Sequence, residues 1–250
     1  MRISGGRTHE GPQPDAGDRW VDEGRVGSKP TRPRRAGGGR RDATPVEVEP
    51  LAGMIGATRA ATLEPRIRKA AEAFEGERYV EARRILRPIA MEVPEAASVR
   101  ELLGLVHYRL GKWKEATNEL EAFRSLTGSS VEQHPVLADC YRAQRKWAMV
   151  AELWEELREA SPSAELVTEG RIVAAGALAD QGKVADAIRL LEKGWRTPKH
   201  AADHHLRRAY ALAALYERAG DIPRARSLFA WIDGIDPEFS DVAERITALD

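Results

Sequence analysis

SVRELLGLVHYRLGKWKEATNELEAFRSLTG, residues 98–128, decides how this chain is built. Leu103, Val106, His107 and Leu110 recur at helical spacing, and beyond Gly111 so do Trp113, Ala116, Leu120 and Phe123. The segment therefore reads as two short amphipathic helices joined at Gly111. Each exposes an apolar stripe that only a neighbouring helix can cover, so neither stands alone.

Outward from this segment the pattern recurs. Ala82, Ala116, Val150, Ala187 and Ala225 share one position of a second helix, at spacings of 34, 34, 37 and 38 residues. A bulky residue stands three positions before each (Tyr79, Trp113, Trp147, Val184, Ile222) and another four positions after (Leu86, Leu120, Trp154, Leu191, Phe229). Twelve positions after stand Pro94, Gly128, Pro162, Lys199 and Pro237, mostly helix-ending residues. The first helix of each unit has its own small position, at Ala70, Gly104, Ala138, Ala175 and Ala213. The turn inside each unit carries Gly111, Gly182 or Gly220, with Glu77 and Arg145 in the other two.

A 34-residue helix–turn–helix period resembles the tetratricopeptide repeat (TPR). YRLGKWKEA (108–116) carries the resemblance best, followed by YERAGDIPRA (216–225) and ADQGKVADA (179–187). The resemblance implies an all-α, right-handed superhelical solenoid of about five helix pairs. Its repeats would lie near 63–96, 97–130, 131–164, 168–201 and 206–239, in a repeat domain over 62–237. Residues 238–250 then read as a capping helix, with Phe239, Val242, Ile246 and Leu249 turned inward over the last repeat. A three-residue extension near 161–169 predicts a longer or shifted first helix in the fourth unit, and an extended connection follows over 197–206.

Residues 1–55 are rich in Gly, Arg and Pro and poor in aliphatic side chains, so a disordered tail is expected. Residues 1–45 hold ten Lys/Arg and six Asp/Glu, a net of +4. Within KPTRPRRAGGGRR (29–41), Arg32, Arg34, Arg35, Arg40 and Arg41 can contact phosphates of a polyanion such as RNA, adding salt-dependent affinity. The leading reading of the same run is a solvated linker or solubilising arm, and only Trp20 offers a ring for base stacking.

Over the whole chain, 39 Lys+Arg balance 39 Asp+Glu, which suits solvated helix faces rather than a strongly basic nucleic-acid binder. The lone Cys140 can form no internal disulfide and fits a reducing, bacterial-type cytoplasm. No apolar run approaches the roughly 18 residues of a membrane span, so no membrane contact is expected.

In this family, partners are held in the concave groove lined by the first helix of each pair. The family register places there Glu101, Leu105, Tyr108 and Arg109, then Asp139 and Arg142, then Arg207, Tyr210, Glu217 and Arg218. Charges mixed with aromatic anchors suit a protein partner; the same residues also read as ordinary solvated helix faces. The lysine–asparagine clamp that holds the C-terminal carboxylate of heat-shock chaperones is missing, since Ile67, Ala71, Glu101, Leu105, Pro135 and Asp139 stand in its places.

No nucleophile elbow, phosphate loop or dinucleotide fingerprint is present, so no catalytic residue, cofactor or small-molecule substrate is expected. His200 and His204 have an i, i+4 spacing beside Asp203 and His205, but no Glu or Cys completes a metal set. A solvated helix start is the reading adopted there, with Asp203 near the positive end of the dipole. The expected function is a non-enzymatic scaffold or adaptor that binds a partner protein or peptide. The alternative is an RNA- or ribosome-associated factor tethered by the basic tail.

Overall fold

The structure is a computed structural model that describes residues 50–249. Among them lie twelve α-helices and no strand. The expected tail, with Arg32, Arg34, Arg35, Arg40 and Arg41, falls outside the described residues as far as residue 49.

After α1 (Ala52–Ile55), the helices form five consecutive antiparallel pairs. These are α2 (Ala57–Glu75) with α3 (Tyr79–Glu92), and α4 (Ala97–Arg109) with α5 (Trp113–Leu126). Next come α6 (His134–Ala143) with α7 (Trp147–Ala160), and α8 (Ala164–Asp180) with α9 (Val184–Glu192). The last pair is α10 (Asp203–Arg218) with α11 (Ile222–Asp233), closed by α12 (Val242–Ala248). Each helix packs on its neighbours in sequence, and α4, α6, α8 and α10 also pack side by side. This is an all-α solenoid of five helix pairs and a cap, its buried side chains falling in three successive clusters along the array.

The small positions are where pairs close. Ala82, Ala116, Val150, Ala187 and Ala225 are at most 2% exposed, as are Leu86, Leu120, Leu191 and Phe229. At Gly104 an added Cβ would lie 2.7 Å from Leu120 Cγ, so only glycine admits that side chain. All five intra-pair turns share one geometry. The fifth residue of each is left-handed: Glu77 (φ 58), Gly111 (φ 68), Arg145 (φ 58), Gly182 (φ 80) and Gly220 (φ 79). The next amide reaches back to a carbonyl five residues earlier, as in Lys112 N to His107 O at 2.9 Å and Lys146 N to Tyr141 O at 2.9 Å. This bond satisfies a carbonyl orphaned at the helix end. Glu77 and Arg145 thus do glycine's work at a steric cost.

Four boundaries differ from expectation. Residues 51–55 are not tail: Leu51 is fully buried and its amide meets Glu64 Oε1 at 3.3 Å, so α1 covers the open end of the first unit. Helix α2 starts at Ala57 rather than near 62 and carries Pro65 in its interior. The second helix of the fourth unit stops at Glu192, seven residues before Lys199, because Gly194 (φ 73) turns the chain. Its freed carbonyls are taken by two guanidiniums. Arg171 Nη1 donates to Lys193 O at 2.8 Å, and Arg208 Nη2 donates to Leu191 O at 2.6 Å and Lys193 O at 2.7 Å. The connection therefore runs over 193–202, and α10 begins at Asp203. Finally, the capping helix is shorter than 238–250, with Phe239 buried in the turn before it. Helix α8 is the longest after α2, in line with the expected extension, and Ser163 Oγ caps it by accepting from Leu166 N at 3.1 Å.

Candidate functional site

Where α4, α6, α8 and α10 lie side by side, they form a half-open cavity of about 340 Å³. Its walls come only from these first helices and the turn before α6. Pro135, Val136, Leu166 and Val173 give it an apolar side; Tyr108, Arg109, Glu132, Gln133, Asp139, Glu169 and Arg207 give it a polar one. A space of this size admits one or two side chains of a partner rather than a folded element.

The polar side is pre-organised. Tyr108 donates its hydroxyl to Asp139 Oδ2 at 2.8 Å, and its ring meets Trp113 edge-on at 5.6 Å. Gln133 Nε2 donates to Glu101 Oε1 at 2.8 Å, linking α4 to the start of α6. Burial raises the pKa of the Glu101 carboxyl; repulsion from Glu132 adds to the shift and the Gln133 bond opposes it. Burial likewise raises the Glu169 carboxyl, against the opposing charge of Arg207, whose Nη1 lies 3.1 Å from Glu169 Oε1. Arg207 Nε also meets Asp203 Oδ2 at 2.9 Å. The Arg109 guanidinium is turned back toward the first unit, over Tyr79 at 5.2 Å and Phe74 at 6.0 Å.

Of the residues singled out from sequence, Tyr108, Arg109, Asp139 and Arg207 line this cavity, and Glu101 braces it through Gln133. The other five lie outside its lining: Leu105 is absent from it, and Glu217 Oε2 accepts from Arg245 Nη1 of the cap at 2.7 Å. Arg142 is 6% exposed and buried between α6 and α8, with Nε 2.7 Å from Asp180 Oδ2 and Nη1 3.8 Å from Asp139 Oδ1. Its guanidinium rests on the backbone of Gly176, where an added Cβ would come within 2.4 Å of Nη1. Tyr210 is tied into the cap, donating to Asp241 Oδ1 at 2.6 Å and packing against Phe229 and Phe239. Arg218 is exposed at the end of α10, away from the cavity lining.

Glu132, Glu169, Val136 and Val173 were not singled out. For the two glutamates a signal existed: like Arg207 before Ala213, Glu132 and Glu169 each stand six residues before a small position, at Ala138 and Ala175. His200 precedes α10, so its spacing to His204 is not a helical one; the His204 and His205 rings lie tilted by 37° with centroids 4.0 Å apart. Among the described residues no cluster of His, Cys, Asp and Glu has the arrangement of a metal site. Cys140 is fully buried, and burial pushes its thiol well above the ordinary range. No helix among the described residues is long and apolar enough to cross a membrane.

Solved structures similar to this chain include TPR proteins. TTC0263, a thermophilic TPR protein of Thermus thermophilus, is 17% identical over 75% of this chain and 98% of its own, with a TM-score of 0.57. The TPR-like repeats of a Podosopora anserina kinesin light chain protein are 19% identical over 70% and 94%, at 0.54. MamA of AMB-1 is 21% identical over 69% and 98%, at 0.51. No protein-family model matches the sequence, and no curated protein does. At these identities the likeness establishes the fold: this chain is a TPR-type solenoid.

Proposed function

We propose that the chain is a non-enzymatic scaffold that holds a segment of a partner protein along the first helices, with one side chain seated in the cavity. The observation that carries this reading is the cavity itself, which four successive units build together and none could form alone. Its apolar wall and fixed carboxylates supply the two ingredients of a specific anchor pocket, buried area and oriented polar partners. Tyr108→Ala combined with Leu166→Arg removes an aromatic anchor and fills the apolar side. Loss of partner capture with unchanged helicity supports the reading; full capture by that variant refutes it.

A second reading rests on the arginines of residues 29–41, which suit contact with RNA or a ribosome. It requires steeply salt-dependent RNA binding that disappears when Arg32, Arg34, Arg35, Arg40 and Arg41 become Ser. RNA binding unchanged in that variant refutes it.

A further inference from the structure

Positive charge is left over where α9 ends early. Arg171 on α8 and Arg208 on α10 both donate to Lys193 O, so two guanidiniums converge on one oxygen. Indole rings back them, with Arg171 over Trp154 at 5.5 Å and Arg208 over Trp195 at 5.4 Å. No carboxylate among the described residues pairs with either, whereas Arg100, Arg124, Arg142, Arg207 and Arg245 each meet one. The carbonyl end of a helix supplies only about half a unit of negative charge against these two cations. Burial lowers the pKa of Arg171, and burial followed by repulsion from Arg171 brings Arg208 down to about 10. The connection over 193–202 adds Lys193, Arg196 and Lys199, all exposed, and contains no acid.

Each guanidinium also keeps unused donors. Arg208 bonds through Nε and Nη2 and Arg171 through Nη1, which leaves Arg208 Nη1 and Arg171 Nη2 without a bond among the described residues. Arg171 Nε has no partner either, and both side chains are part-exposed. Glu169 and Val173 line the cavity, while Arg171, midway between them, leaves α8 on the other side. This site therefore stands or falls apart from the groove.

We propose that Arg171 and Arg208 form a receptor for a phosphate monoester on a serine or threonine side chain of a partner protein, with Lys193, Arg196 and Lys199 around it. Such a group carries about −1.5 to −2 at neutral pH and presents three acceptor oxygens, which matches two guanidinium forks better than one carboxylate does. Single-stranded nucleic acid fits less well, because binding it relies on open rings. Trp154 is buried, and Trp195 is covered by Arg208 and packed edge-on against Trp231. A lipid surface fits less well too. The exposed large apolar side chains, Met54, Val80, Met91, Leu126 and Ile235, all lie off α8, α9 and α10, so the surroundings lack groups to enter a bilayer.

The test follows the arginine Nε–Hε NMR signals of the full chain, which report each guanidinium without altering the fold. The probes are a neutral peptide carrying one phosphoserine, the same peptide unphosphorylated, and inorganic phosphate. The phosphopeptide should move the Arg171 and Arg208 signals and its unphosphorylated form should not, while Arg189, exposed and paired with Asp186, stays in place. Arg208→Lys keeps the charge but loses the fork, and should weaken phosphopeptide binding about tenfold or more. Arg171 and Arg208 signals unmoved by millimolar phosphopeptide overturn the proposal, as does undiminished binding by Arg208→Lys. Shifts confined to Arg32, Arg34, Arg35, Arg40 and Arg41 also overturn it, since the anion then sits on the basic segment. A response to inorganic phosphate alone marks an adventitious ion only and counts against it. Stronger effects from an oligonucleotide lacking a terminal phosphate, or from vesicles containing phosphatidic acid, replace the protein partner with nucleic acid or a membrane.

Discussion

Gly176→Ala is the substitution whose sign tells most about how the array holds together. On an ordinary helix the change stabilises by about 1 kcal/mol, since alanine is the better helix former. Here the new Cβ would stand 2.4 Å from Arg142 Nη1 and 2.5 Å from Cζ. A guanidinium is normally free to swing aside. This one is 6% exposed, bonded to Asp180 at 2.7 Å and set beside the buried Asp139. Displacing it separates a buried cation from its carboxylates, which costs about 3 kcal/mol or more. The expected balance is a net loss of about 2 kcal/mol, read from urea denaturation followed by circular dichroism, with an unchanged m-value showing that the same surface unfolds. The Arg142→Met background supplies the control, because without the guanidinium Gly176→Ala should return to mild stabilisation. A stabilising Gly176→Ala in the unaltered chain would refute the reasoning, because Arg142 would then be no fixed strut.

Glu77→Gly and Arg145→Gly, at left-handed turn positions, should each stabilise the fold by up to about 1 kcal/mol, visible as raised melting temperatures. Gly104→Leu should destabilise by about 1–3 kcal/mol through overpacking against Leu120, and a neutral thermal melt would contradict the pairing of α4 with α5. Glu101 titrates above its ordinary 4.5, so its protonation favours the folded state: that contribution is full below 4.5 and fades as pH rises through the folded value. Urea denaturation repeated across pH 4–7 should show this fading, and Glu101→Gln should lose that part of the pH dependence.

The repeat was legible because a solenoid writes its packing into the chain as a period. Every small position read from the spacing, Ala82 through Ala225, is buried in the structure. The glycine signature led to the turns, and the left-handed backbone of Glu77 and Arg145 shows that the geometry persists where the residue does not. The register was less informative about direction. It assigned Arg142 to the groove from the family register alone. What buries it is Gly176, on a helix 34 residues away in sequence, whose missing side chain leaves a seat for the guanidinium. Nothing local to either residue announces that contact. The early end of α9 escaped for the same reason, since Arg171 and Arg208 reach its last carbonyls from neighbouring helices.

The central claim is that this solenoid works through the cavity on its first helices. A photo-crosslinking residue placed at Val136, in the cavity wall, and separately at Val80, on the exposed face of α3, puts that claim to a direct test in cells. The account predicts a discrete crosslinked partner from Val136 that Tyr108→Ala removes, and none from Val80. A partner captured from Val80 and not from Val136 would contradict it.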